Sequence, residues 1–139
     1  MSGLKRAFAL VCVIFMVLSL SSCAAAKLAD SFNKDEVLER GKEIAGLLSA
    51  SDFAAVTAEI REDLREQLSE NDLRDALGIY ITEAGAFKEF TSSAVVGQKD
   101  KTTGEDYAIA VIRAKHENKS LTYTFYFDVN MDVVGLYMK

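Results

Sequence analysis

The chain has 139 residues, half of them hydrophobic, with 16 basic and 21 acidic side chains and a formal net charge of −5. That length sets one domain, the apolar content excludes a disordered chain, and the acidity excludes nucleic-acid binding through phosphate neutralisation. Its two cysteines, Cys12 and Cys23, both lie near the start, so the rest has no thiol for a disulfide, a redox pair or a nucleophile.

Met1 to Arg6 is short and basic, and Ala7 to Leu20 is almost wholly apolar. About 14 residues is less than the roughly 20 needed to cross a bilayer, so the run reads as a signal h-region. The other reading is an uncleaved membrane helix extended through Ala26. The run closes in Leu20-Ser21-Ser22-Cys23, which resembles the lipobox of a bacterial lipoprotein. Small residues there let a peptidase approach, and the cysteine thiolate takes a diacylglycerol. The expectation is therefore a removed signal peptide over 1–22, a lipidated tether over 23–31 and a single domain over 32–139. Acyl chains on Cys23, palmitate among them, would hold the domain on the extracytoplasmic face of the cell membrane, since two chains anchor stably where one is marginal. Ala24, where an Asp would signal inner-membrane retention, points to the outer membrane in a diderm host. The leader holds Lys5 and Arg6 and no acid, so the remainder is more acidic than the whole. Lipid, not charge, would hold it at anionic head groups. From Ala24 to Ser31 the chain reaches at most about 30 Å.

Three helices follow in the pattern. Asn33 caps the first, with Glu36 placed for a capping box, and Val37, Gly41, Ile44 and Leu48 share a face. Ser51-Asp52 breaks and recaps. Phe53, Val56, Ile60, Leu64 and Leu68 then form the most regular helical stripe in the chain, opposite a charged face that reads as solvated. Ser69 to Asp72 caps a third helix carrying Leu73, Leu77, Tyr80, Ile81 and Ala84. Gly85 ends it.

From Ala86 the period changes to two. Extended stretches are expected at 87–96, 106–115, 121–128 and 133–138, separated by a charged loop at 98–105 and turns at 116–119 and 129–132. Short connections make the strands antiparallel neighbours. Leu121, Tyr123, Phe125 and Phe127 alternate with Thr122, Thr124, Tyr126 and Asp128, and the phenylalanine face should lie on the helices. The other face keeps apolar groups from the second strand and suggests a pocket or a dimer surface.

Gly85-Ala86-Phe87-Lys88, followed by a meander that ends Gly135-Leu136-Tyr137, resembles the bacterial family known as domain of unknown function 3887. The resemblance covers about Phe32 to Met138. It implies an α+β fold of the nuclear transport factor 2-like and cystatin-like kind, two to three helices packed on a curved four-stranded antiparallel sheet to form a cone. It also implies an accessory role on lipoproteins and beside hydrolase domains, and it carries over no catalytic residues. Asn130-Met131 departs from the Asp-Gly usual in the last hairpin.

Three constellations resemble sites. Asp128, Asn130 and Asp132 open like a calcium loop, but the Gly and the closing Glu are missing, so the segment reads as a hairpin turn. His116, the single histidine, has neither nucleophile nor second ligand nearby in sequence and reads as a solvated turn residue. Tyr126, Asp128 and Tyr137 could share a face, as in isomerases that pair tyrosine with a carboxylate. The candidate pocket residues are Tyr107, Tyr126 and Tyr137. No catalytic group, metal site or cofactor emerges, and the expectation is a non-enzymatic domain binding a small apolar ligand, a peptide or an envelope protein. The alternatives are a small enzyme using the cone and a homodimerisation module.

Overall fold

The computed structural model describes residues 27–139; the leader, Cys23 and the first part of the tether lie outside the described residues. Helix α1 spans Lys34–Ser49, α2 Phe53–Glu59 and α3 Glu70–Ala84, with a 3-10 turn at Glu62–Leu64 between the last two. Strands β1 (Phe87–Lys99), β2 (Asp106–His116), β3 (Ser120–Phe127) and β4 (Val133–Met138) follow. They form one open antiparallel sheet in the order β1-β2-β3-β4. The architecture is the α+β arrangement expected from the pattern.

Local chemistry sets the boundaries. Asn33 Oδ1 accepts from the amides of Asp35 and Glu36 at the start of α1. The reciprocal capping box is at α3, where Ser69 and Asp72 each accept from the other's backbone. Gly85, at φ 81°, turns the chain out of α3.

The helical stripe of 53–68 is broken, which corrects the expected second helix. It stops at Glu59, and Ile60 turns extended to bridge Val133 in parallel. The Arg61 amide donates to the Val133 carbonyl at 2.8 Å. Arg65 folds back to bond the Ile60 and Ala58 carbonyls at 2.8 and 3.1 Å. The edge of β4 and the Arg65 guanidinium thus take up groups that a longer helix would have satisfied internally.

One sheet face is the core. Ala108, Ala110, Ile112 and Ala114 of β2 and Leu121, Tyr123, Phe125 and Phe127 of β3 are buried against the helices. Helix α1 lies on the sheet, α2 packs on α1, and α3 packs on α2. The approach of α1 is closest over β2. A Cβ on Gly41 would stand 3.0 Å from Ala110 Cβ and 2.8 Å from Ile112 Cδ1. Glycine at 41 and alanine at 110 permit that approach, and the aromatic rings of β3 fill the neighbouring space under the helices.

His116 also corrects the sequence reading. It is the last residue of β2, only 1% exposed. The β2–β3 turn behind it closes the end of α3: Asn118 donates through its amide to Ala84 O and through Nδ2 to Glu83 O, and the Glu117 amide donates to Ala86 O. The charged loop begins later than expected, because β1 runs on through Gln98 and Lys99. At the last hairpin, Asp128 Oδ1 accepts from the amides of Asn130 and Asp132, both at 3.0 Å. Met131 there takes φ 64°. That is an Asx-supported turn, not the mouth of a cation site. Among the described residues no helix is long and apolar enough to cross a membrane.

Candidate functional site: the outer face of the sheet

Alternation sends Tyr107, Ile109, Val111, Arg113 and Lys115 of β2 away from the helices, with Thr122, Thr124 and Tyr126 of β3 beside them. The faces are unequal. On β2 and β3 the core face is fully buried, whereas on the outer face Val111 and Thr124 are half-buried and Ala94 and Tyr137 exposed. Strand register places Ala94, Val111, Thr124 and Tyr137 in one row across all four strands.

The candidate tyrosines divide. Tyr107 and Tyr126 are 6% and 8% exposed and cluster with Val134; Leu64 from the 3-10 turn and Ile109 pack against them. The segment after Ile60, pinned to the β4 edge, therefore covers one end of the outer face. Tyr137 lies on the same face but outside that cluster, 38% exposed. Asp128 is 8% exposed. Besides its turn bonds it pairs with Arg61, Nη1 to Oδ2 at 3.5 Å.

The electrostatics of this end follow from those contacts. Arg61 Nε bonds Asp63 at 2.7 Å. That bond holds the Asp63 carboxyl below the usual carboxylate range and raises Arg61 further above its own. Tyr107 donates to Glu105 at 2.5 Å. Burial first, then that bond, pushes its phenol up to about 12. Burial also raises Tyr126. A phenol whose folded value exceeds its unfolded value of about 10 stabilises the fold fully below pH 10, and the contribution is lost as pH rises towards 12. Urea denaturation at pH 9 and pH 11.5 checks this: Tyr107→Phe should lose less stability over that interval than the parent. Equal losses would show that Tyr107 titrates as an exposed phenol does.

A second polar group is enclosed on the core side. His116 Nδ1 lies 2.9 Å from Gly85 O, and its Nε2 lies 2.9 Å from the Tyr123 hydroxyl. Tyr123 in turn meets Ser49 Oγ at 2.9 Å, and Ser49 donates to Ala45 O at 2.8 Å. The carbonyl of Gly85 sets the tautomer with hydrogen on Nδ1. Serine, tyrosine and histidine in series look like a relay, yet Tyr123 is fully buried and His116 nearly so. The signal for it was present in the sequence: His116 has the parity of Ala110, Ile112 and Ala114, the core-facing residues of β2. Among the described residues no group of three His, Cys, Asp or Glu side chains is placed to hold a metal ion.

The sequence pattern of the family described as protein of unknown function (DUF3887) matches residues 41–136. A solved NMR structure of a protein from Ruminococcus gnavus superimposes with a TM-score of 0.69 at 24% identity, covering 81% of this chain and 96% of that one. At that identity the likeness shows the fold alone. No curated protein matches the chain. The matched residues run from the middle of α1 into β4, and on that match the chain belongs to the DUF3887 family of proteins of unknown function.

Proposed function

We propose that the chain is a lipid-anchored accessory domain on the extracytoplasmic membrane face, which binds a partner and performs no chemistry of its own. The observation that carries this is Leu20-Ser21-Ser22-Cys23 at the end of an apolar run about 14 residues long, too short to span a bilayer. Helices packed on an open antiparallel sheet suit a nuclear transport factor 2-like or cystatin-like module, a fold-level analogy that bears on shape and not on activity. The space between helices and sheet is filled by Tyr123, Phe125, Phe127 and the helix side chains facing them. Binding is therefore assigned to the outer face, with its tyrosine cluster and the row Ala94, Val111, Thr124 and Tyr137.

The test is metabolic labelling of the full chain with an alkyne-tagged fatty acid, followed by membrane fractionation. The parent should carry label and sediment with membranes. Cys23→Ser should lose the label and move to the soluble fraction. Label retained in Cys23→Ser would overturn the reading.

A further inference from the structure

We propose that Tyr123 is a pivot that lets His116 take up a second proton while still enclosed in the fold: its hydroxyl donates to the neutral ring and turns to Ser49 when the ring is charged. Four contacts lie in series: Gly85 O to His116 Nδ1, Nε2 to the Tyr123 hydroxyl, that hydroxyl to Ser49 Oγ, and Ser49 Oγ to Ala45 O. Each is 2.8 or 2.9 Å long, so each calls for a hydrogen. Both ends are carbonyl oxygens, which only accept. The two hydroxyls supply two hydrogens and a neutral imidazole supplies one, which is one fewer than the contacts. An imidazolium supplies two, and the count closes. Nδ1 then donates to Gly85 O, Nε2 to Tyr123, Tyr123 to Ser49, and Ser49 to Ala45 O.

With the neutral ring, Nδ1 still donates to Gly85 O, because two lone pairs would otherwise face each other. Nε2 is then an acceptor, and Tyr123 is the donor within reach. The contact left without a hydrogen falls at Ser49, which is half-buried in the last turn of α1 and free to rotate towards water. Protonation of the ring therefore moves one phenol hydrogen and breaks no contact. A histidine buried neutral weakens a fold in acid, since the unfolded chain takes up a proton that the folded chain refuses. Here the folded chain has a place for it. The cost of enclosing the charge is offset by donation through both ring nitrogens.

Both ring nitrogens are bonded to uncharged groups. The charged groups around them are Glu117 and Lys119 of the β2–β3 turn, Glu83 of α3, Lys88 and Glu89 of β1, Lys115 of β2 and Lys42 of α1. Lys119 pairs with Glu83 at 3.7 Å, and register sets Glu89 beside Lys115. Lys88 is exposed. Lys42 lies 5.8 Å over Phe90, which meets Phe87, whose ring centroid is 5.9 Å from that of the imidazole. Glu117 Oε2 lies beside Gly85, 3.5 Å from where a Cβ on that residue would stand. The direction of the hydrogen bonds, and not a bonded counter-ion, accommodates the proton.

The test is nuclear magnetic resonance of the full chain in detergent micelles, labelled with nitrogen-15 histidine and purified without a histidine tag. His116 is the single histidine, so one ring reports. At pH 8 one ring N–H should be seen. As the pH is lowered, a second should appear while the amide spectrum stays that of the folded chain, and both should exchange slowly with water. Ser49 is not bonded to the ring. Ser49→Ala should nevertheless cut the ratio of two-proton to one-proton ring about tenfold at any pH where the parent shows both, because the Tyr123 hydrogen then has no acceptor. Ser49→Thr should restore the ratio. Tyr123→Phe, which takes the acceptor away from Nε2–H, should lower it at least as far as Ser49→Ala. A ring that keeps one N–H until the chain unfolds overturns the proposal. So does a ratio indifferent to Ser49→Ala, which would show a charged histidine that needs no hydroxyl chain.

Discussion

Phe125→Ala is expected to lower the stability of the fold by about 4 kcal/mol, near the upper end for loss of a buried ring. Phe125 sits mid-way along β3, an interior strand, between Ala110 of β2 and Leu136 of β4. It is fully buried. Its ring stacks on Tyr123 at 6.4 Å between centroids and lies 6.5 Å from Phe127. Whether the lost ring leaves a cavity depends on whether α1 can settle onto the sheet. It cannot settle far, because Gly41 already meets Ala110 and Ile112 with no side chain between them. The backbone contact over β2 acts as a stop, and the space over β3 stays open. Urea denaturation should show a lower midpoint at unchanged slope. The melting temperature should fall by roughly 15–25 °C. Val129→Ala, at a 54% exposed turn residue, should stay within about 0.5 kcal/mol of the parent. A loss below about 2 kcal/mol for Phe125→Ala would mean that the helix does follow the sheet inward.

The same residues show why some of this was legible in the sequence. Alternation along β3 names both faces correctly, because a strand with one wet face repeats every two residues whatever its neighbours do. Gly85 and Ser69 mark helix ends through purely local chemistry. The stripe from Phe53 to Leu68 misled because it is equally compatible with a helix and with what occurs: a short helix, a bridge at Ile60 and a turn that carries Leu64 round to the outer face. The competing partner, the edge of β4, lies more than seventy residues away, and no local pattern reports it. His116 was misplaced for a related reason. A lone histidine beside Glu117-Asn118-Lys119 looks like turn surface, and only its parity within β2 shows that it points inward. Tyr107, Tyr126 and Tyr137 share the outer face by strand parity alone. The separation of Tyr107 and Tyr126 from Tyr137 depends on the cover supplied by Leu64, and so on that same distant bridge.

That inward histidine yields the second large effect. Tyr123→Phe and His116→Leu should each cost about 2–3 kcal/mol, and the double variant should cost less than their sum by about 1–2 kcal/mol. Removing the Tyr123 hydroxyl leaves His116 Nε2 buried without a partner, while Ser49 keeps its bond to Ala45 O. Removing the imidazole frees the Gly85 carbonyl and leaves Tyr123 only Ser49. Once one side is gone, losing the other strands no further group at Nε2, and the two costs overlap. Measurement by urea denaturation of all four chains closes the cycle. Strict additivity would mean that Tyr123 serves Ser49 and not His116. A structural tie predicts one thing more, which a catalytic relay would not. The Glu117 and Asn118 amides, bonded to Ala86 O and Ala84 O, should exchange faster in His116→Leu, because His116 holds the β2–β3 turn against the end of α3. On this account the serine, tyrosine and histidine join three elements far apart in sequence, α1, the α3 terminus and the β2–β3 hairpin. Burial makes each hydrogen bond among them costly to break.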